Sequence, residues 1–250
     1  MAVKVCLNGR RRRDEHPAIP IAAQELATAG AAAVAAGAQA VHMHPRAGNG
    51  AESLAASDIA AAVRAVRIAS PGVPIGVSTG LWIAHGDVAA RQKDISEWAT
   101  LAAGERPDFA SVNVSESGFS ELTKVLDLAG VAVEAGVWSS ADAEALDACA
   151  PSGLLRILVE ISGRRYANGI QAADAILGRL DALGLPGPRL LHGSGSTCWP
   201  LVVHAGRLGL STRIGLEDTL TAPDGQPAVD NADLVRLALT CWKAAGDEES

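Results

Sequence analysis

Two histidines one residue apart, His42 and His44, lie in a short run that reads as a β-strand. Residues i and i+2 of a strand share a face, so both imidazoles can reach one ion. Far along the chain, Glu217 falls in the run Arg213-Ile214-Gly215-Leu216-Glu217-Asp218. Two His and one Glu form a common catalytic zinc set that leaves a fourth position for water or substrate. An isolated pair of histidines at this spacing is also met as two hydrogen-bonded core residues; the carboxylate and a polar setting favour the metal. Arg213 shares a face with Glu217 one layer deeper, where a guanidinium can bind a carboxylate or orient a catalytic acid. Asp218 sits where its strand ends and can turn over the site as a general base. A purely structural Arg–Asp pair is the competing reading of those two residues.

Ser78-Thr79-Gly80 and Ser111-Val112-Asn113 each end a strand-like run and offer donors suited to a substrate carboxylate or carbonyl. Ser-Gly at strand ends is also ordinary turn chemistry. Glu134 reads as a lone inward carboxylate that needs a partner, and Arg213 is the expected one. The loop His192-Gly193-Ser194-Gly195-Ser196, entering a helix, can hold an anion on free N–H groups through Gly193 and Gly195, or serve only as a tight turn. It lacks the Lys of a P-loop, and no dinucleotide fingerprint occurs. The run Arg10–Arg13 can contact an anionic substrate or coenzyme phosphates, Arg11 among them. It can equally be a solvated loop paired with Asp14 and Glu15.

What must position these residues is an alternation of β-branched and alanine-rich segments. Strands are expected at 3–8, 40–45, 74–79, 109–114, 131–137, 155–161, 189–194 and 212–217. Helices are expected near 22–36, 57–68, 90–103, 119–129, 141–148, 170–183, 199–208 and 231–245. Eight alternating pairs with no linker between them predict a single (β/α)8 TIM barrel over residues 1–250. In the strands one face is aliphatic (Val3, Val5, Leu7; Ile157, Val159, Ile161) and suits a helix layer. The other (Lys4, Cys6, Asn8; Arg156, Leu158, Glu160) turns inward, where polar groups are costly unless paired or ligated. The upper barrel therefore reads as an active site. Of five Trp, three (Trp82, Trp138 and Trp199) fall in segments after strands and are expected to line the mouth, while Trp98 and Trp242 pack in helices.

With 21 basic and 28 acidic residues, the net charge of −7 argues against nucleic-acid binding. No apolar run is long enough for a bilayer, and the chain starts directly in a strand without a targeting pattern. Four scattered Cys with no C-x-x-C pair read as reduced thiols, so a cytoplasmic protein is expected.

Taken in order, these features resemble the β-keto acid cleavage enzymes. The resemblance rests on Asn8-Gly9 with Pro17 and Pro20, His42-x-His44 with Arg46, Ser78-Thr79-Gly80, Ser111 and Asn113, and Glu134. It continues through Gly193-x-Gly195, Arg213-x-Gly215-x-Glu217-Asp218 and Asn231-Ala232-x-Leu234-Val235. It implies a zinc-dependent barrel, usually a homotetramer, that condenses a β-keto acid with acetyl-CoA to give acetoacetate and a new acyl-CoA. By position, His42, His44 and Glu217 would bind zinc. Arg213, Asp218 and Glu134 would handle protons, and Ser78 with Ser111 would hold the substrate carboxylate. Arg10-Arg11 stands where an acidic residue meets an amino group in the aminohexanoate-cleaving members, which suggests an anionic substrate instead. Two other readings stay open: an amidohydrolase-like barrel with further ligands and a carbamylated Lys, and a non-catalytic barrel that binds an anionic metabolite.

Overall fold

Eight strand–helix units follow one another in a computed structural model that describes residues 3–166, 168–185 and 187–247. The first four strands are β1 (Val3–Cys6), β2 (Ala40–Met43), β3 (Ile75–Ser78) and β4 (Phe109–Asn113). The others are β5 (Ala132–Val137), β6 (Leu154–Ser162), β7 (Arg189–Ser194) and β8 (Thr212–Ile214). The helices between them are α1 (Ala23–Ala35), α2 (Ala56–Ala69), α3 (Val88–Ser96) and α4 (Phe119–Leu128). They continue as α5 (Ser140–Cys149), α6 (Gly169–Ala182), α7 (Cys198–Arg207) and α8 (Asn231–Asp247).

All neighbouring strands pair in parallel, in the order β7-β6-β5-β4-β3-β2-β1-β8. A parallel bridge between Leu190 and Ser211 brings β7 to the segment entering β8, so the sheet curls into a nearly closed (β/α)8 barrel. Outward residues such as Val5, Val41, Val77, Val133 and Val159 are wholly buried against the helix layer, where Leu26, Val63, Leu122, Leu180 and Leu234 meet them. Each such side chain contributes roughly 1.5–3 kcal/mol by leaving water. Helix starts carry local signals: Asp87, Ser139 and Asn168 each accept a backbone N–H of the following turn. No helix among the described residues is long and apolar enough to cross a membrane.

Three departures from the expected elements bear on the site. The third helix ends at Ser96 and passes into a 3-10 turn, Glu97–Thr100, which buries Trp98 and lets its Nε1 donate to Leu54 O at 2.9 Å. β2 stops at Met43 and β8 at Ile214, so His44, Glu217 and Asp218 stand just beyond the strands. The early end of β8 has a local cause. Gly215 lies against β1 so closely that a Cβ there would sit 1.9 Å from Cys6 O, and the chain turns as Asp218 N bonds Gly215 O at 2.9 Å.

The barrel floor corrects one expected pairing. Glu134 does not meet Arg213; Lys4 from β1 and Arg156 from β6 both bond its carboxylate. Arg156 is its register neighbour across β5–β6, which a scan of single strands does not reveal. The Phe109 ring fills the space over Gly76, with the Lys4 ammonium 5.8 Å and the Arg156 guanidinium 4.8 Å from its centroid. Burial alone would raise the Glu134 carboxyl, but the two cations outweigh it and hold it far below the carboxylate range. Removing the carboxylate in Glu134→Ala strips Lys4 and Arg156 of the buried acceptor they share, with an expected cost of about 3–5 kcal/mol, read as a lower urea midpoint. The sign for pH follows. A folded-state value below the unfolded one stabilises the protein above about pH 4.3, and that stability is lost as the pH falls further.

Candidate active site

His42 leaves β2 into the barrel, and His44 follows on the same face. The backbone of His44 is held by Asn8, whose Oδ1 accepts His44 N–H and whose Nδ2 donates to His44 O, both at 2.9 Å. Asn231, at the start of α8, clamps the loop that carries Glu217: its Oδ1 accepts Leu216 N–H at 2.9 Å while its Nδ2 donates to Leu7 O at 3.0 Å. Gly9 completes the arrangement. Its φ of 53° is left-handed, and a Cβ would lie 2.4 Å from Glu217 Cγ, so only glycine lets that carboxylate occupy its position. The asparagines and glycine of the sequence motif thus set the backbones around His44 and Glu217.

The Nε2 atoms of His42 and His44 lie 3.8 and 3.6 Å from Glu217 Oε2. Ligands on a tetrahedral zinc lie roughly 3.3 Å apart given its bond lengths. Among the described residues these three form the one group of His, Cys, Asp or Glu close enough to share an ion. Glu217 Oε2 is buried without a hydrogen-bond partner, a costly state that a cation would relieve.

The far side of each ring supports the same use. His44 Nδ1 meets Glu52 Oε1 at 2.6 Å, and Glu52 Oε2 accepts Trp82 Nε1–H at 3.1 Å. Ser111 Oγ donates to Glu134 at 3.1 Å, so its lone pairs remain for His42 Nδ1 at 3.4 Å. Both contacts favour the N–H on Nδ1 and leave the Nε2 lone pair facing Glu217, where a cation could be held. Burial alone lowers both histidines. For His42 it prevails, whereas Glu217 and Glu52 reverse it for His44 and raise that ring to about 9, a proton that a bound cation displaces. Glu52→Gln is expected to weaken metal affinity about 10–100-fold without unfolding the chain, measured by titration against a metal buffer.

Arg213 lies beside Glu217 as expected. Its Nη2 donates to Asp218 Oδ1 at 2.7 Å and to Glu217 Oε1 at 2.9 Å, and its Nε reaches Asp218 Oδ1 at 3.2 Å. Asp218 Oδ2 is left buried and unpartnered. The two adjacent carboxyls are driven apart. Burial raises Asp218, with Glu217 adding, and the net shift is upward despite Arg213 and His192. Burial acts on Glu217 too, but Arg213 and the histidines outweigh it and depress that group. Environments that separate neighbouring carboxyls in this way mark one as a proton carrier and the other as a fixed anion.

These groups open into a cavity of about 870 Å³. Of the other expected residues, Ser78, Gly80, Ser111, Asn113, Arg11 and Gly195 line it. Thr79 does not: its hydroxyl donates to Ser111 O at 2.7 Å. Gly193 is packed against Thr197 O instead, and Glu134 belongs to the floor, bonded to Ser111 of the site and within electrostatic reach of His42. Ser111 therefore gives its single proton to Glu134, while the Ser78 hydroxyl, which accepts Gly80 N–H at 3.3 Å, keeps its proton for a ligand. The basic run divides. Arg11 pairs with Glu15 at 3.0 Å and Arg12 with Asp14 at 3.2 Å, as a solvated loop would, while Arg10 lies over Trp82, 5.2 Å from its centroid. Trp82 and Trp138 line the mouth, but Trp199 turns away and donates to Thr221 O at 2.8 Å.

Sequence reasoning gave no role to Glu52, nor to the pair Glu160 and His192, which also face the cavity. Glu52 lies in a loop with no periodicity to betray it. Glu160 reads as an inward strand residue, whereas His192 reads as the start of a loop, and their pairing follows only from the β6–β7 register.

A family model described as beta-keto acid cleavage enzyme matches residues 1–249. Among solved structures, the apo form of ObcA aligns with a TM-score of 0.72 at 18% identity, covering 90% of this chain and 61% of that one. Its ternary complex with a C4-CoA adduct and oxalate aligns at 0.73, with 18% identity and coverages of 90% and 63%. The N-acetylmannosamine-6-phosphate 2-epimerase from Clostridium perfringens aligns at 0.57 with 14% identity, covering 87% of each chain. At these identities the likeness is one of fold, and the chain spans about three fifths of ObcA's length. Comparison with curated proteins gives no match.

Proposed function

The chain belongs to the beta-keto acid cleavage enzyme family, and from that premise we propose that it cleaves a β-keto acid with acetyl-CoA, yielding acetoacetate and a new acyl-CoA. His42, His44 and Glu217 would hold zinc. One observation carries the reading: a buried, unpartnered carboxylate oxygen faces two imidazole Nε2 atoms at 3.6 and 3.8 Å. When bound, a divalent ion supplies Lewis acidity toward the keto-acid carbonyl. The solved ObcA complexes with oxaloacetate and with a C4-CoA adduct support a keto acid and a CoA thioester as ligands.

The proposed chemistry balances as an exchange. In R–CO–CH2–COO⁻ the bond between C2 and C3 breaks, and a bond from C2 to the acetyl carbonyl carbon forms. The CoA thiolate freed from acetyl-CoA takes the R–CO group. Asp218 Oδ2 removes a proton from C2 to start the exchange and returns one to C2 of acetoacetate at its end. Arg213 holds Asp218 Oδ1, which leaves Oδ2 as the basic atom. The Ser78 hydroxyl donates to the substrate carboxylate, while Ser111 and Glu134 act through His42 by fixing its ring. Trp82 and Trp138 narrow the mouth and limit water around the reacting carbons.

The test pairs metal content with turnover. Purified protein should carry about one zinc per chain, in keeping with one three-residue ligand set that leaves a position open. A panel of β-keto acids with acetyl-CoA should release acetoacetate. A metal-replete protein inactive on the whole panel would count against the proposal.

A further inference from the structure

The chemistry above makes no use of Glu116 or Arg91, and neither lines the cavity. Arg91, on α3, is wholly buried. Its Nη1 donates to Glu116 Oε2 at 2.5 Å and its Nη2 to Ser117 O at 2.6 Å. The ion pair therefore ties α3 to the turn that follows β4. Glu116 accepts from two further elements. Its Oε2 also takes Leu81 N–H at 2.9 Å, and its Oε1 takes a proton of Asn113 Nδ2 at 2.8 Å.

Asn113 carries the effect into the cavity. A carboxylate only accepts and an indole only donates, so a single orientation of the amide satisfies both of its neighbours. Nδ2 faces Glu116, and Oδ1 accepts Trp138 Nε1–H at 3.0 Å. The backbone of Trp138 is held separately: its N–H donates to Asp142 Oδ2 at 2.8 Å, and its carbonyl accepts Tyr166 O–H at 2.7 Å. What remains to place the ring is the bond to Asn113. Turned over, the amide would set its NH2 against the indole N–H, and the ring would swing toward the open mouth. Among the described residues, Trp138 and Trp82 are the only large apolar side chains that line the cavity, so moving one changes the surface offered to the substrate's R chain.

We infer that Glu116, held by Arg91, is a positioning residue that fixes the Asn113 amide and, through it, the Trp138 wall of the substrate cavity. The inference deepens the function proposed above and rests on it for what the cavity binds. Glu116→Gln isolates the effect because it keeps the shape of the side chain. Its oxygen still accepts from Arg91 and Leu81, but its NH2 now meets Asn113 Nδ2. The side packed on buried Arg91 cannot yield, whereas the indole at the mouth can, so the Asn113 amide turns over and releases Trp138. Adding Asn113→Asp restores the match: the amide at 116 donates to the new carboxylate, whose other oxygen accepts the indole N–H again.

The test follows exchange of the Trp138 indole proton with deuterated water by nuclear magnetic resonance, in the metal-loaded full chain isotopically labelled on its tryptophans. Loss of the signal in Trp138→Phe identifies it. Exchange should quicken about 5–10-fold in Glu116→Gln, the size of one hydrogen bond, and return to the wild-type rate in the double variant. The Trp82 indole, bonded to Glu52, should be unchanged in both. In turnover, Glu116→Gln should raise KM for the β-keto acid about 5–10-fold with kcat within about twofold, the pattern of lost binding shared by ground and transition states. A merely structural role would lower the melting temperature without moving the Trp138 signal or letting the double variant restore it. Unchanged indole exchange in the single variant, no recovery in the double variant, or a fall in kcat at constant KM would overturn the inference. The indole pattern without acetoacetate release from wild-type protein defeats the proposed function alone, and release without the indole pattern defeats the positioning role alone.

Discussion

Glu217→Gln is expected to release the bound metal and lower turnover by at least about 1,000-fold, the size of losing several kcal/mol of Lewis-acid stabilisation. The amide keeps the shape and one oxygen but loses the charge that faces both Nε2 atoms. Arg213 would lose one of its three carboxylate partners, since Nη2 bonds Glu217 Oε1 as well as Asp218 and Nη1 faces Glu160. Asp218 remains to hold the guanidinium, so the fold should survive. His42→Ala should give the same loss of metal through a residue that Arg213 does not touch. Metal content by elemental analysis, beside a thermal melt, separates loss of the ion from loss of structure. A Glu217→Gln protein that kept both zinc and activity would remove the ligand set from the mechanism.

Asp218→Asn should behave differently: zinc retained, and kcat lower by about 10²–10⁴-fold, the usual contribution of a positioned acid–base group. Asp218 Oδ1 is fully occupied by Arg213, whereas Oδ2 is buried with no partner. The amide would keep the Arg213 contact through its oxygen and lose the basic atom. A second readout isolates the proton step. Wild-type protein should speed exchange of the substrate C2 hydrogens with deuterated water in the absence of acetyl-CoA, and the variant should not. Faster exchange that persisted in the variant would move the base to another residue.

The barrel was legible because its signal is local and repeated. Short β-branched runs alternate with alanine-rich segments, and strands such as the first and sixth carry an aliphatic face, so the units could be read one at a time. The grouping of His42, His44 and Glu217 was legible for a related reason: spacing within a strand fixes a face, and the strand order sets β8 and β2 on either side of β1. What sequence reading missed depends on contacts between strands or loops. The partners of Glu134 come from β1 and β6, and a one-residue difference in register would have sent Arg156 elsewhere. Glu52 reaches His44 from an irregular loop, and nothing in its neighbours in the chain marks it. Trp199 looked like a mouth residue because it follows a strand, but the turn at Gly195–Thr197 precedes α7 and its indole bonds Thr221 instead.

The central claim is an exchange of carbon between a β-keto acid and acetyl-CoA, and isotope placement tests it directly. A β-keto acid labelled with carbon-13 at C1 and C2 is incubated with unlabelled acetyl-CoA and the zinc-loaded protein, and the products are weighed by mass spectrometry. The account requires both labelled carbons in acetoacetate, an unlabelled acyl-CoA built from the R–CO group, and loss of acetyl-CoA in equal amount. Labelled acetate formed without consumption of acetyl-CoA would instead mean hydrolysis, and would contradict it.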